Sequence, residues 1–159
     1  MIRPALLAAL LLTGCGAGVE RPINGTCESA FAFASYERRW FDCDDLDRNT
    51  ALARELLTRE GVLRGAEFDT LVAGLTVHTT EYPCVEPAES DGTECLGGYY
   101  AAGEVVLGAN GSALLHELLH AVERRDALTF THWHGGWNER GYMELDAEFR
   151  ARYTPTFIR

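Results

Sequence analysis

The sequence contains no lysine: all 14 of its basic residues are arginine, against 24 acidic residues. Arginine-only usage reflects coding bias more than chemistry, but the charge balance is informative. A formal charge of −10 argues against nucleic acid or an anionic lipid surface as the main partner. Long apolar runs are also missing. No stretch approaches the roughly 18–20 apolar residues that a membrane-spanning helix needs. None of the five cysteines forms a CxxC pair, which counts against a cysteine-built metal site. There is no internal repeat and no low-complexity segment. A chain of 159 residues with ordinary apolar content is the size of one domain.

What is present begins with a distinctive N-terminus. Met1-Ile2-Arg3-Pro4 supplies a positive start, Ala5 to Leu12 form a short apolar run, and Leu12-Thr13-Gly14-Cys15 closes it with small residues before a cysteine. The run is too short to span a membrane, and simple signal cleavage does not require a cysteine there. This segment resembles the lipobox of bacterial lipoproteins. The resemblance covers the first fifteen residues or so. It implies that residues 1–14 are a signal peptide, and that Cys15 is lipidated and becomes the mature first residue. The chain is then exported and held at the bacterial envelope by acyl chains rather than by a transmembrane helix. Gly16, where Asp would retain a lipoprotein, points by the same analogy to the outer membrane of a Gram-negative cell. Residues 15–26 then comprise the lipidated cysteine and a Gly-containing tether, and residues 27–159 a single domain.

Besides Cys15, four cysteines remain: Cys27, Cys43, Cys84 and Cys95. An even number in an exported chain suggests two disulfides, with three possible pairings. Proximity favours Cys27–Cys43 and Cys84–Cys95, each closing a loop worth about 3 kcal/mol of chain entropy. "NGT" at 24 and "NGS" at 110 fit the glycosylation acceptor pattern but read as turns in a bacterial chain.

The apolar pattern from 44 to 60, with acidic residues at its front and Gly61 after it, predicts an amphipathic helix. Residues 71–82 alternate as a strand in which the lone His78 reads as a strand histidine. Tyr99-Tyr100, the small residues 101–103 and Glu104 to Leu107 predict a hairpin. Ser112 is suited to cap a helix from 113 to about 126, and a last helix runs from about 139 to 153. The expected fold is therefore α+β: a small mixed or antiparallel sheet with a hairpin, packed on the 113–126 helix and flanked by two others.

Four of the five histidines lie between 112 and 149. In His116-Glu117-Leu118-Leu119-His120 the two histidines are four residues apart on a helix, so both imidazoles leave one face about a turn apart. That separation lets both reach a single Zn2+ ion. Glu117, one step round the helix, can act on water at the ion without ligating it. The surrounding leucines would bury the other faces and make the helix a rigid support.

This motif resembles the HExxH signature of the zincin metallopeptidases. The motif itself covers five residues, and the strand, hairpin and helix order from about 71 to 126 is similar to that superfamily's catalytic core. The resemblance implies that His116 and His120 are zinc ligands and Glu117 is the general base. The third ligand departs from the family's patterns. Glu123 and Asp126 stand where the metzincin extension has Gly and His. Asn138-Glu139-Arg140-Gly141 falls near the position of the glutamate in the thermolysin-like clan, but Met143 replaces its aspartate. Thr131-His132-Trp133-His134-Gly135-Gly136 offers two further imidazoles in a loop the glycines leave free to approach. The candidates are thus His134, His132 and Glu139, in that order.

Tyr142, Tyr99 and Arg140 are candidate donors to a developing oxyanion, and Asp146, Glu144 and Glu148 candidate partners for a ligand histidine. The expected function is zinc-dependent hydrolysis of a peptide or protein substrate by a monomer that touches the membrane only through its anchor. Two other readings fit the same residues: a structural-zinc or inactive tethered binding module, and an amide hydrolase acting on the cell wall.

Overall fold

A computed structural model describes residues 30, 31, 33, 35–36, 43–80, 97–108, 111–124 and 134–153. Its elements are β1 (Ser35–Tyr36), α1 (Cys43–Arg59), α2 (Gly65–Ala73), β2 (Thr76–Thr79), β3 (Gly98–Ala101), β4 (Glu104–Leu107), α3 (Leu114–Arg124) and α4 (Tyr142–Arg152). The architecture is α+β, with a mixed four-stranded sheet of order β1-β2-β4-β3. β1 and β4 both run parallel to β2, while β3 pairs antiparallel with β4.

α1 follows its sequence closely. Leu46, Ala53, Leu56 and Leu57 are buried at helical spacing, and Asp44 and Asp45 sit at the positive end of the helix dipole. The helix stops where Gly61 takes φ +68° and the amide of Val62 donates to the carbonyl of Leu57, 2.9 Å away. This is a closure that glycine makes without steric cost. The hairpin also forms as its residues dictate. Ala102 and Gly103 have positive φ (50° and 86°), as the tight turn between right-twisted strands requires.

Two segments differ from the sequence-based expectation. Residues 71–73 end α2, a helix the sequence pattern does not reveal, and the strand expected over 71–82 is four residues long, Thr76–Thr79. Phe68 and Val72 are buried, so α2 is held by tertiary packing rather than by a full amphipathic stripe. The last helix starts at Tyr142, because residues 134–141 form a turn that ends at Gly141 with φ +71°.

Strand alternation places Val77, Val105, Leu107 and Tyr100 in the core, together with Leu114, Leu115, Leu118 and Leu119 of α3. α3 lies against β3 and β4 and also touches α1 and α4. Gly98 makes the close approach to β3 possible. A Cβ there would stand 2.7 Å from the carbonyl oxygen of Val106, 3.1 Å from the Ala113 Cβ and 3.2 Å from the Glu117 Cγ. Cys43 opens α1, but its side chain, like all of Cys15, Cys27, Cys84, Cys95 and His132, lies outside the described residues.

Candidate metal centre

The helical period of α3 sets out three polar side chains in one stripe: His116, His120 and, a turn further on, Glu123. The turn that follows the segment after α3 brings His134 over this stripe. The three imidazole rings form a nearly equilateral triangle, with centroid separations of 5.0 Å (His116–His120), 4.9 Å (His116–His134) and 5.1 Å (His120–His134). One nitrogen from each lies within 4.8 Å of the others, and the Nε2 atoms of His116 and His134 are 3.0 Å apart.

Two imidazoles bound to one tetrahedral ion at about 2.0–2.1 Å would hold their nitrogens roughly 3.3 Å apart. The triad is therefore close to the spacing that a single ion demands, and these three histidines can hold a metal ion. Three imidazole nitrogens are a donor set for zinc, copper, nickel or iron alike. Among the described residues, no other histidine, cysteine or carboxylate group comes together in this way.

The structure thus brings His134 to the pair on α3. Glu139 is exposed on the same turn, beside Arg59 and Glu60, and is not part of the cluster. His78 is half-buried in β2, and its register partner on β4 is Val106. Tyr99 alternates away from the face of β3 that meets α3.

Asp146 supports the cluster from α4. Its Oδ2 lies 3.4 Å from Nδ1 of His116 and accepts a hydrogen bond from Nε of Arg150 at 2.9 Å. Holding Nδ1 in this way fixes the proton on that side and leaves Nε2 to face the other histidines. Burial pushes the Asp146 carboxyl up. The His116 hydrogen bond and the Arg150 guanidinium outweigh it and hold the carboxyl below its ordinary value. Glu148 is instead tied to Arg59 and Arg152 at the surface, and Glu144 is exposed.

Glu117 is 1 % exposed. Its carboxyl is pushed well above the usual range, first by burial and then by the charge of Asp146; Arg150 and the backbone N–H of Tyr100 pull the other way. Its Oε2 is buried without a hydrogen-bond partner among the described residues, leaving one acceptor atom uncommitted. His134 is shifted down, by burial and by the neighbouring His116, which favours the neutral imidazole that a metal requires.

The sequence pattern does not point to Trp137, yet this residue packs against all three rings of the triad. It is 1 % exposed, and its ring centroid is 4.8, 4.8 and 4.6 Å from those of His116, His120 and His134. A ring equidistant from three corners sits over one face of the triangle. The signal available in the sequence was its position three residues after His134, beside two glycines. Comparison with protein-family models, curated proteins and solved structures finds no match to this chain.

Proposed function

We propose that the protein is a zinc-dependent hydrolase acting on peptide bonds, with His116, His120 and His134 as the metal ligands and Glu117 as the general base. The observation that carries this reading is the convergence of three imidazoles, two from α3 and one from a distant turn, with a buried carboxylate on the same helix. A zinc ion held there would supply a Lewis acid that lowers the pKa of water and polarises a carbonyl. Glu117, through Oε2, takes the proton from water as it attacks the scissile carbonyl, then delivers it to the leaving amine. A carboxyl with a raised pKa suits both halves of that transfer. Asp146 holds His116 in the ligating tautomer, and Trp137 closes one side of the site to water.

The N-terminal segment supports the further proposal that this domain is exported and tethered by a lipid on Cys15, as in bacterial lipoproteins. Paired disulfides among Cys27, Cys43, Cys84 and Cys95 belong to the same proposal.

The test is metal stoichiometry by elemental analysis, combined with assay on a peptide library. One zinc per chain is expected, bound much more weakly but still measurably in His134→Ala and at wild-type affinity in Glu139→Ala. Glu117→Gln should keep the metal and lose hydrolysis by roughly 10²–10⁴-fold. Full activity in metal-loaded Glu117→Gln would overturn the mechanism. No zinc in the folded protein after reconstitution would overturn the function.

A further inference from the structure

We infer that Glu123 is a positioning residue that locks His134 into the triad, an inference that rests on the metal-site reading above. Glu123 projects from the stripe of α3 that carries His116 and His120, and its side chain is 11 % exposed. Both of its carboxylate oxygens are committed to the turn that carries His134. Oε2 accepts the indole N–H of Trp137 at 2.9 Å, and Oε1 is paired with the Arg140 guanidinium. Arg140 in turn donates to the carbonyls of Gly136 (3.0 Å) and Gly135 (2.9 Å), the two residues that follow His134. The amide of Trp137 donates to the carbonyl of His134 itself at 3.1 Å.

The chain of contacts is continuous. α3 supplies two ligands directly, and through one carboxylate it also fixes the distance and angle of the third. Without Glu123, Arg140 keeps its bonds within the turn, but the turn loses its tie to α3. Gly135 and Gly136, the latter at φ +78°, then leave the segment free to swing. Trp137 loses the partner that sets its ring over the triad. A merely structural salt bridge would stabilise the fold without discriminating among the three ligands. A positioning residue acts through His134 and has no effect once His134 is gone.

That distinction is the experiment. Zinc affinity is measured by chelator competition in the full chain for wild type, Glu123→Ala, Glu123→Gln, His134→Ala and the double variant Glu123→Ala/His134→Ala. Asp69→Asn, at the remote Arg54 pair, serves as a control. Glu123→Ala is expected to weaken zinc binding on the order of 10–100-fold, as loss of an outer partner does. Glu123→Gln, which keeps a neutral acceptor for the indole, should lose less. In the His134→Ala background Glu123→Ala should change nothing further.

Metal-free hydrogen exchange gives an independent reading: Glu123→Ala should speed exchange at the amides of Trp137, Arg140 and Tyr142, while those of α1 stay protected. Wild-type affinity in Glu123→Ala would overturn the assignment, as would an equal loss with and without His134. Either result would leave the metal site standing. A wild type that binds no zinc would sink the metal reading and this role with it, even if the exchange pattern responded.

Discussion

Glu117, Glu123 and Asp146 at the histidine cluster and Glu55, Asp69 and Glu148 on the outer faces of α1, α2 and α4 are the same functional group in two settings. The outer carboxylates pair with arginines in the open. Arg59 bridges to Glu148, Arg152 links Glu148 and Glu55, and Arg54 clasps Asp69. Water and salt screen such pairs, and holding two long side chains in register offsets much of their attraction. The inner carboxylates are few and nearly covered, and each has a defined partner: a histidine for Asp146, an indole and a guanidinium for Glu123, a backbone amide for Glu117. The chain tolerates the cost of burying them beside the histidine cluster, where each has a fixed partner, and leaves the rest to solvent. Carboxylate number therefore says little about importance in this protein; burial and partner say a great deal.

Substitutions can break that contrast, and the largest effect should come from Asp146→Ala. It removes the anchor of His116 Nδ1 and should weaken zinc binding about 10–100-fold by chelator competition. Gly98→Ala follows, because a methyl group there meets the Val106 carbonyl of β4 on one side and the Glu117 Cγ of α3 on the other, so the sheet or the seat of α3 must shift. About 1–3 kcal/mol lost in denaturant unfolding is expected, with weaker metal retention. A cost near zero would mean that the helix is not seated as described.

Glu117→Gln sharpens the comparison in the opposite direction. Because the folded carboxyl titrates above its ordinary value of 4.5, the unfolded chain is ionised where the folded one resists it. Above that pH Glu117 is therefore a liability that grows with pH until the folded group ionises, and it vanishes below it. The metal-free variant should melt higher than wild type at neutral pH and at the same temperature as wild type at pH 4. Activity and stability would then trade against each other at one atom.

Glu148→Gln should do least, moving Tm within about 2 °C and less still in high salt. Arg59 and then Arg152 hold the Glu148 carboxyl down to about 2, so its small contribution is complete above the usual carboxylate value. It should fall away progressively as pH drops from that value to about 2. An NMR titration of the Glu148 carboxyl would check the value.

The parts of the fold written in local pattern were readable. α1 could be traced from its apolar spacing and Gly61, the hairpin from its small-residue turn, and the stripe of α3 from the helical period. α2 was not readable, since a nine-residue helix with two buried side chains carries too little periodicity to stand out from a strand. At the site, Asp146 was one of three acidic candidates on one helix. Only its burial and its reach to His116 separate it from Glu144 and Glu148.

By itself the sequence determined that two imidazoles and a carboxylate share one turn of helix. A four-residue spacing becomes a shared face by backbone geometry alone. It also determined that other histidines and a glutamate followed within reach. The tertiary structure decided which of them completes the triad in the described residues, that Trp137 covers one face, and that β2 and β4 run parallel. Those choices link residues 18 and 30 positions apart around His116. They depend on how helices and strands pack, and no local propensity encodes that.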